Sequence, residues 1–250
     1  MARPDAAAAL GLLIAALAAT PAFAQSCPAQ LAEAKRLVLV TAGTMNSTGA
    51  TLQMFERSAP SASWKPIAEP EAALLGRAGM GWSHFYRWLK RESEPIKVEG
   101  DKRAPAGIYP IGKSFGTIAS PRPGHLHVTD DTICVHDPAS PAYNTIASRA
   151  QLGPKVSAEN MSRALPMYRR GLVVNYPTDA KARAGSCIFI HVWQSPTTGT
   201  AGCVALPEAR VEALQDFSAD GTVLAILPRA ALSRLAGCLP AVAANVPKTK

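Results

Sequence analysis

Short apolar and β-branched runs recur along this chain, separated by turn-forming residues. "RLVLVTAG" from Arg36, "TLQMFERS" from Thr51 (imperfect in its alternation), "HLHVTDDTICVHDP" from His125, "GLVVNYP" from Gly171, "CIFIHVW" from Cys187 and "GTVLAILP" from Gly221 read as strands. Helical spacing is confined to a few places. Leu74, Leu75, Trp82, Phe85, Trp88 and Leu89 suggest a helix over 71–92, weakened by Gly76, Gly79 and Gly81. "SAENMSRALPMY" suggests a short helix with Ser157 as N-cap and Glu159 close behind. "PEARVEALQDF" suggests another, with Pro207 in its first turn. The stretch "EGDKRAPAGIYPIGKSFG" reads as turn-rich because of Pro105, Gly107 and Pro110, and "SAPSASWKPIAEP" and "ASPAYNTIAS" read as loops. Strands do not alternate with long helices, which disfavours a doubly wound parallel sheet. One mainly β domain with helical insertions is expected. The 250 residues, 48% of them hydrophobic, suffice for one such core.

The first residues carry a different signal. Arg3, an apolar run from Ala6 to Ala19 and the small-x-small end Ala22-Phe23-Ala24 predict a secretory leader over 1–24. The run is short for a membrane span, and no later stretch approaches one. Gln25 and Ser26 before Cys27 fit poorly with a lipoprotein signal. The mature chain is therefore expected outside the cytoplasm, in the periplasm, where disulfides persist.

Five cysteines are present, and an odd count leaves one thiol over. A Cys27–Cys238 bond would tie down both ends of the mature domain. Cys134 and Cys187 each sit in a strand-like run, either as a pair or as two buried thiols. Cys203 is the spare one on either reading.

The net charge of +8 is spread over short pairs such as Lys35-Arg36, Lys102-Arg103 and Arg169-Arg170, with no long block and no aromatic interleaving. That argues against a nucleic-acid groove and suits either a solvated basic face or attraction to an anionic polymer such as a bacterial wall. His125 and His127 form a short chelating pair, but no acidic or cysteine partner stands at a zinc spacing, so neither a metal nor a cofactor is expected.

The segment from His191 to Cys203, "HVWQSPTTGTAGC", offers acyl-transfer chemistry. A cysteine nucleophile needs a base nearby and backbone N–H groups to hold an oxyanion. Gly199 and Gly202 allow a sharp turn on which the N–H groups of Ala201, Gly202 and Cys203 converge. His191 lies near a strand end. A buried thiol and a structural histidine are the plainer alternatives.

"GSCIFIHVWQSPTTGTAGCVAL" resembles the catalytic segment of YkuD-type L,D-transpeptidases, in which a histidine is followed by a variable loop and Ser/Thr-His-Gly-Cys. "GDKRAPAGIYPIG" resembles that family's Thr-Pro-x-Gly-x-Tyr/Phe segment, and "CVHDPASPAYN" and "MYRRGLVVNY" look like further stretches of one branch. The resemblance runs from about Leu37 to Pro228. It implies a single YkuD-like β-sandwich domain of mixed sheets over 37–230, between an N-terminal segment (25–36) and a C-terminal tail (231–250). It implies Cys203 as nucleophile, His191 as general base, with a backbone carbonyl rather than a carboxylate beside it, and Gly202 as turn and oxyanion donor. Thr200 takes the Ser/Thr position. The histidine that usually precedes Gly-Cys is Ala201 here, and the polar residue often found two places after the cysteine is Ala205; both changes bear on substrate choice. Trp193 would wall the cleft, and Tyr168 and Asn175 would bind a stem peptide. The implied partner is peptidoglycan. The implied reaction is a 3→3 or 1→3 L,D crosslink through a thioester. The rivals are an L,D-endopeptidase, carboxypeptidase or lipoprotein-detaching hydrolase, and a catalytically silent wall-binding domain.

Overall fold

The computed structural model describes residues 27–164 and 166–241. The leader expected over 1–24 lies outside the described residues.

A short helix α1 (Ala29–Glu33) leads into strands β1 (Arg36–Ala42), β2 (Gly49–Glu56) and β3 (Lys65–Pro66). Next come β4 (Glu71–Leu74), β5 (Met80–Trp82) and the long β6 (Ala104–Gly116). β7 (Leu126–His127), β8 (Thr132–Val135), β9 (Ile146–Ser148), helix α2 (Arg149–Leu152) and β10 (Ala158–Asn160) follow. The chain continues through β11 (Gly171–Val174), β12 (Phe189–Val192), β13 (Val204–Leu206), helix α3 (Glu208–Phe217) and β14 (Thr222–Pro228). Short 3-10 helices fill several connections.

The protein is mainly β, as the short apolar runs require. Its main sheet is mixed and runs β1-β14-β6-β11-β12-β13-β4-β2, and a β1–β2 pairing closes the order on itself. β1 and β14 are parallel partners, and "RLVLVTA" and "TVLAILP" are apolar on both faces because both faces are covered. A separate three-stranded sheet, β10-β8-β9, lies outside. Between it and the main sheet is a second core of Phe115, Val128, Cys134, Met161, Tyr168, Phe189 and Cys203.

Two disulfides are present, Cys27–Cys238 and Cys134–Cys187. The first joins the two ends of the described chain. Residues 231–241, expected as a tail, are held on the body by that bond and by buried Leu235. The second staples β8 of the outer sheet to the residue two before β12.

Three expectations fail. The helix over 71–92 is instead β4, β5 and a 3-10 helix at His84–Leu89. Backbone crowding is the reason. Gly79 has φ +82°, and a Cβ on Gly76 would press on Gly79 O and Ala104 N, within 2.9 Å of each. "APAGIYPIGKSFG" is the longest strand, not a run of turns. The Ala104 N–H bonds to Gly79 O and Ala106 O accepts from Ser83, so the ladder runs through the residues flanking Pro105 and needs no N–H from it. Pro110 is the last residue of β6 paired to β14, just before β6 passes to β11. Finally, Ala158–Asn160 is a strand, and the turn after it, Met161–Arg163, is capped by the Asn160 side chain rather than Ser157.

Candidate active site

β12 and β13 are parallel neighbours with Ile190 opposite Val204 and His191 opposite Ala205. Continued back one step, that register sets Cys203 opposite Phe189. Residues 189, 191, 203 and 205 then share a face. Two residues along and one strand across is about 8 Å between Cα atoms, within reach of an imidazole and a thiol. Both side chains line one cavity of about 600 Å³. Among the described residues Cys203 alone is a free cysteine.

The histidine is held in one tautomer. His191 Nδ1 lies 2.8 Å from the carbonyl oxygen of Val192. A carbonyl only accepts, so Nδ1 carries the hydrogen and Nε2 keeps its lone pair. Tyr168 packs on the imidazole edge-to-face at 5.4 Å, and Phe115, Phe189 and Tyr168 surround one another at 5.1 to 5.6 Å. This aromatic shell buries the imidazole. Burial pulls His191 down to about 4, against the opposing effect of the Val192 bond. Burial likewise pushes the Cys203 thiol up to about 12, against a Phe189 backbone contact that favours the thiolate. At neutral pH the resting pair is an uncharged thiol beside an uncharged imidazole. The thiol donates to Cys187 O at 3.5 Å.

The turn before Cys203 is fixed by Thr200. Its hydroxyl donates to Cys203 O at 2.8 Å and accepts the Gly202 N–H at 3.0 Å. Gly202 has φ +148°, and a Cβ there would lie 3.0 Å from Arg103 O, so glycine is required. This corrects one expectation: the Gly202 N–H is given to Thr200 and is no oxyanion donor in this conformation. The N–H groups of Ala201 and Cys203 donate to no described residue.

The other expected residues divide. Thr200 and Tyr168 line the cavity with Cys203 and His191; the Thr200 hydroxyl, however, is committed to the turn. Trp193 is elsewhere. β12 ends at Val192, and Trp193 lines a separate cavity with Thr48, Ala73 and Pro196. Asn175 is elsewhere too, on a third cavity beside Gly112 and Gln215. Its backbone N–H bonds to Pro110 O, continuing β11 past the site.

Sequence reasoning missed Glu159, His136, Lys97, Arg77 and Lys102, all of which line the cavity. Glu159 accepts a hydrogen bond from the Tyr168 hydroxyl at 3.0 Å, and burial holds it above the usual carboxylate range. Lys97 is buried and paired with Asp101 at 2.5 Å. The sole signal for Glu159 was its place in a segment misread as helix. Alternation in "SAENM" would have set it on one face of a strand. Among the described residues no cluster of histidine, cysteine or acidic side chains is built to hold a metal, and no helix is long and apolar enough to cross a membrane.

A thiol and an imidazole lining one cavity, with two backbone N–H groups beside the thiol that no described residue accepts from, are the parts that a cysteine acyl-transfer site needs. The family model for YkuD, the L,D-transpeptidase catalytic domain, matches residues 51–226, and the chain belongs to that family. The family acts on peptidoglycan. No curated protein and no solved structure matches the chain.

Proposed function

We propose that the protein is an exported cysteine acyltransferase that forms L,D crosslinks, 3→3 or 1→3, between peptidoglycan stem peptides through a thioester on Cys203. The observation that carries this reading is that Cys203, spared by both disulfides, lines the same cavity as His191. The leader-like start and two disulfides support a periplasmic location. The cavity, the fixed tautomer and the open N–H groups argue against a silent wall-binding module.

His191 Nε2 takes the thiol proton as Cys203 Sγ attacks the carbonyl of an L-centre in the donor stem. The Ala201 and Cys203 N–H groups hold the developing oxyanion. His191 returns the proton to the departing D-amino acid amine, the C–N bond breaks, and the thioester remains. An amine of a neighbouring stem then attacks the thioester, the C–S bond breaks, and the thiolate regains a proton through His191. Because the resting pair is neutral, the proton moves only as the attack develops, which limits stray reaction of the thiol.

The test is incubation of the mature protein with disaccharide-tetrapeptide muropeptides, with products read by mass. Dimers that vanish in Cys203→Ala support crosslinking. Shortened monomers alone assign the hydrolytic alternative, and wall pelleting with no product assigns the binding module.

A further inference from the structure

The cavity around Cys203 has two electrically unlike walls. One is built on the nucleophile's own turn. Arg77 donates its backbone N–H to Thr200 O at 2.8 Å, and Lys102 O accepts from Ala78 at 3.1 Å, so both residues flank the 199–202 loop. Their exposed side chains make no ion pair among the described residues. Another part of the lining comes from the outer sheet and carries Glu159, on β10, with His136 just past β8. Of the cavity's two glutamates, Glu99 is committed to Tyr143 and Ser186, whose hydroxyls donate to it at 2.5 and 2.7 Å. Glu159 accepts from Tyr168 and makes no ion pair among the described residues, with the His136 imidazole beside it as the one positive influence on its charge. A half-buried carboxylate with no lysine or arginine paired to it is costly in its charged form, and an ammonium in the cavity would offset that cost.

We infer that Glu159 is the acceptor-recognition residue: it binds the ammonium of the incoming stem peptide on the part of the cavity lining that the outer sheet supplies and so directs the thioester toward transfer rather than hydrolysis. This rests on the acyltransferase reading above and adds to it the device that lets an amine prevail over water. The two cations repel an ammonium from the other wall and suit carboxylates of the stem peptides instead. Tyr168 links the two halves of the site, since its hydroxyl holds Glu159 while its ring packs on His191.

The proton balance is complete. The ammonium gives one proton to the Glu159 carboxylate, which burial makes a stronger base than a free glutamate. The amine nitrogen attacks the thioester carbonyl, the C–N bond forms and the C–S bond breaks. The second nitrogen proton passes to His191 and on to the thiolate. Glu159 then releases its proton to solvent.

The experiment compares the wild-type chain with Glu159→Gln, measuring the rate of Cys203 acylation by a donor stem and the ratio of crosslinked to hydrolysed product. The expected result is acylation within about twofold of wild type and a ratio lowered about tenfold, with a raised KM for the acceptor and partial recovery in Glu159→Asp. A variant-free arm uses an acceptor whose amine is trimethylated, which keeps the charge but cannot attack. It should inhibit transfer by the wild type without slowing acylation, whereas the neutral tert-butyl isostere should not. An unchanged ratio in Glu159→Gln, or equal inhibition by the two analogues, overturns the inference. So does a parallel fall in acylation and transfer, which marks a purely structural role. Absence of any Cys203 acylation in the wild type would instead overturn the acyltransferase reading itself.

Discussion

The Cys203 thiol donates to the carbonyl oxygen of Cys187 at 3.5 Å, and Cys187 is one half of a disulfide to Cys134. The Cys203 thiol is thus docked on a residue that the outer sheet holds in place. Cys187 has φ +55°, a conformation that non-glycine residues adopt only under constraint, and its N–H is fixed by Asn144 Oδ1 at 2.8 Å.

The two disulfides should therefore differ in their effects. Closing loops of 53 and 211 residues, they contribute about 4 and about 5 kcal/mol by chain-entropy reasoning. Cys134→Ala with Cys187→Ala should lower stability and also slow Cys203 acylation about tenfold. Cys27→Ala with Cys238→Ala should lower stability alone. Denaturant unfolding and intact-mass acylation kinetics, taken where both variants are folded, separate the two effects. Equal acylation rates would contradict the docking role of Cys187.

The pH dependence follows from burial of His191. An unperturbed histidine would lose its lone pair below about pH 6.5; with the value pulled down to about 4, acylation should hold from pH 7 to pH 5 and fall only near pH 4. The same shift acts on stability. Between about 4 and 6.5 the unfolded chain binds a proton at this site and the folded protein does not. Stability is thus fully present above 6.5 and lost as pH falls through that window, by on the order of 3 kcal/mol. For Cys203, raised to about 12, the folded protein keeps a proton that the unfolded chain has lost, so stability falls as pH rises from about 9 to 12. His191→Gln should abolish the acid-side loss and cost about 100-fold or more in acylation rate. Rate and melting profiles against pH check both, and half-loss of acylation near pH 6.5 would count against a buried neutral base.

The Thr200 hydroxyl makes two hydrogen bonds inside the turn. Thr200→Val strands the Gly202 N–H and the Cys203 carbonyl and should cost about 1–3 kcal/mol with a large loss of acylation. Thr200→Ser restores both bonds and should retain most activity. Thermal melts with acylation rates read the pair, and a Val variant as active as the Ser variant would remove the clamp from the mechanism.

Gly202→Ala introduces strain at φ +148° and a Cβ 3.0 Å from Arg103 O. The expected cost is about 1–3 kcal/mol, with the Cys203 side chain turned away from its register. A melt unchanged from wild type would show that the turn relaxes freely.

Much of this was legible from residues alone. β1, β11, β12 and β14 show as apolar runs because each face they present is covered, and α3 shows because its apolar positions recur at helical spacing behind Pro207. The odd cysteine count showed that a thiol is left over, and the end positions of Cys27 and Cys238 with the strand-like runs around Cys134 and Cys187 pointed to Cys203 as that thiol. β6 was hidden because Pro105 and Pro110 sit where the ladder asks no N–H of them, a property of its partners β5, β14 and β11. The positions of Trp193 and Asn175 were hidden because both follow strand ends, where alternation no longer says which way a side chain faces. Glu159 was hidden by a helical reading of a three-residue strand whose identity depends on pairing with β8.

The most direct measurement is peptide mapping by mass spectrometry after the wild-type chain has been quenched during turnover with a donor stem peptide. The expected result is an acyl mass shift confined to the peptide bearing Cys203, absent from His191→Gln on the same time scale. Crosslinked product formed with Cys203 unmodified throughout, or an adduct on any other residue, would contradict a nucleophile at 203 served by the imidazole at 191.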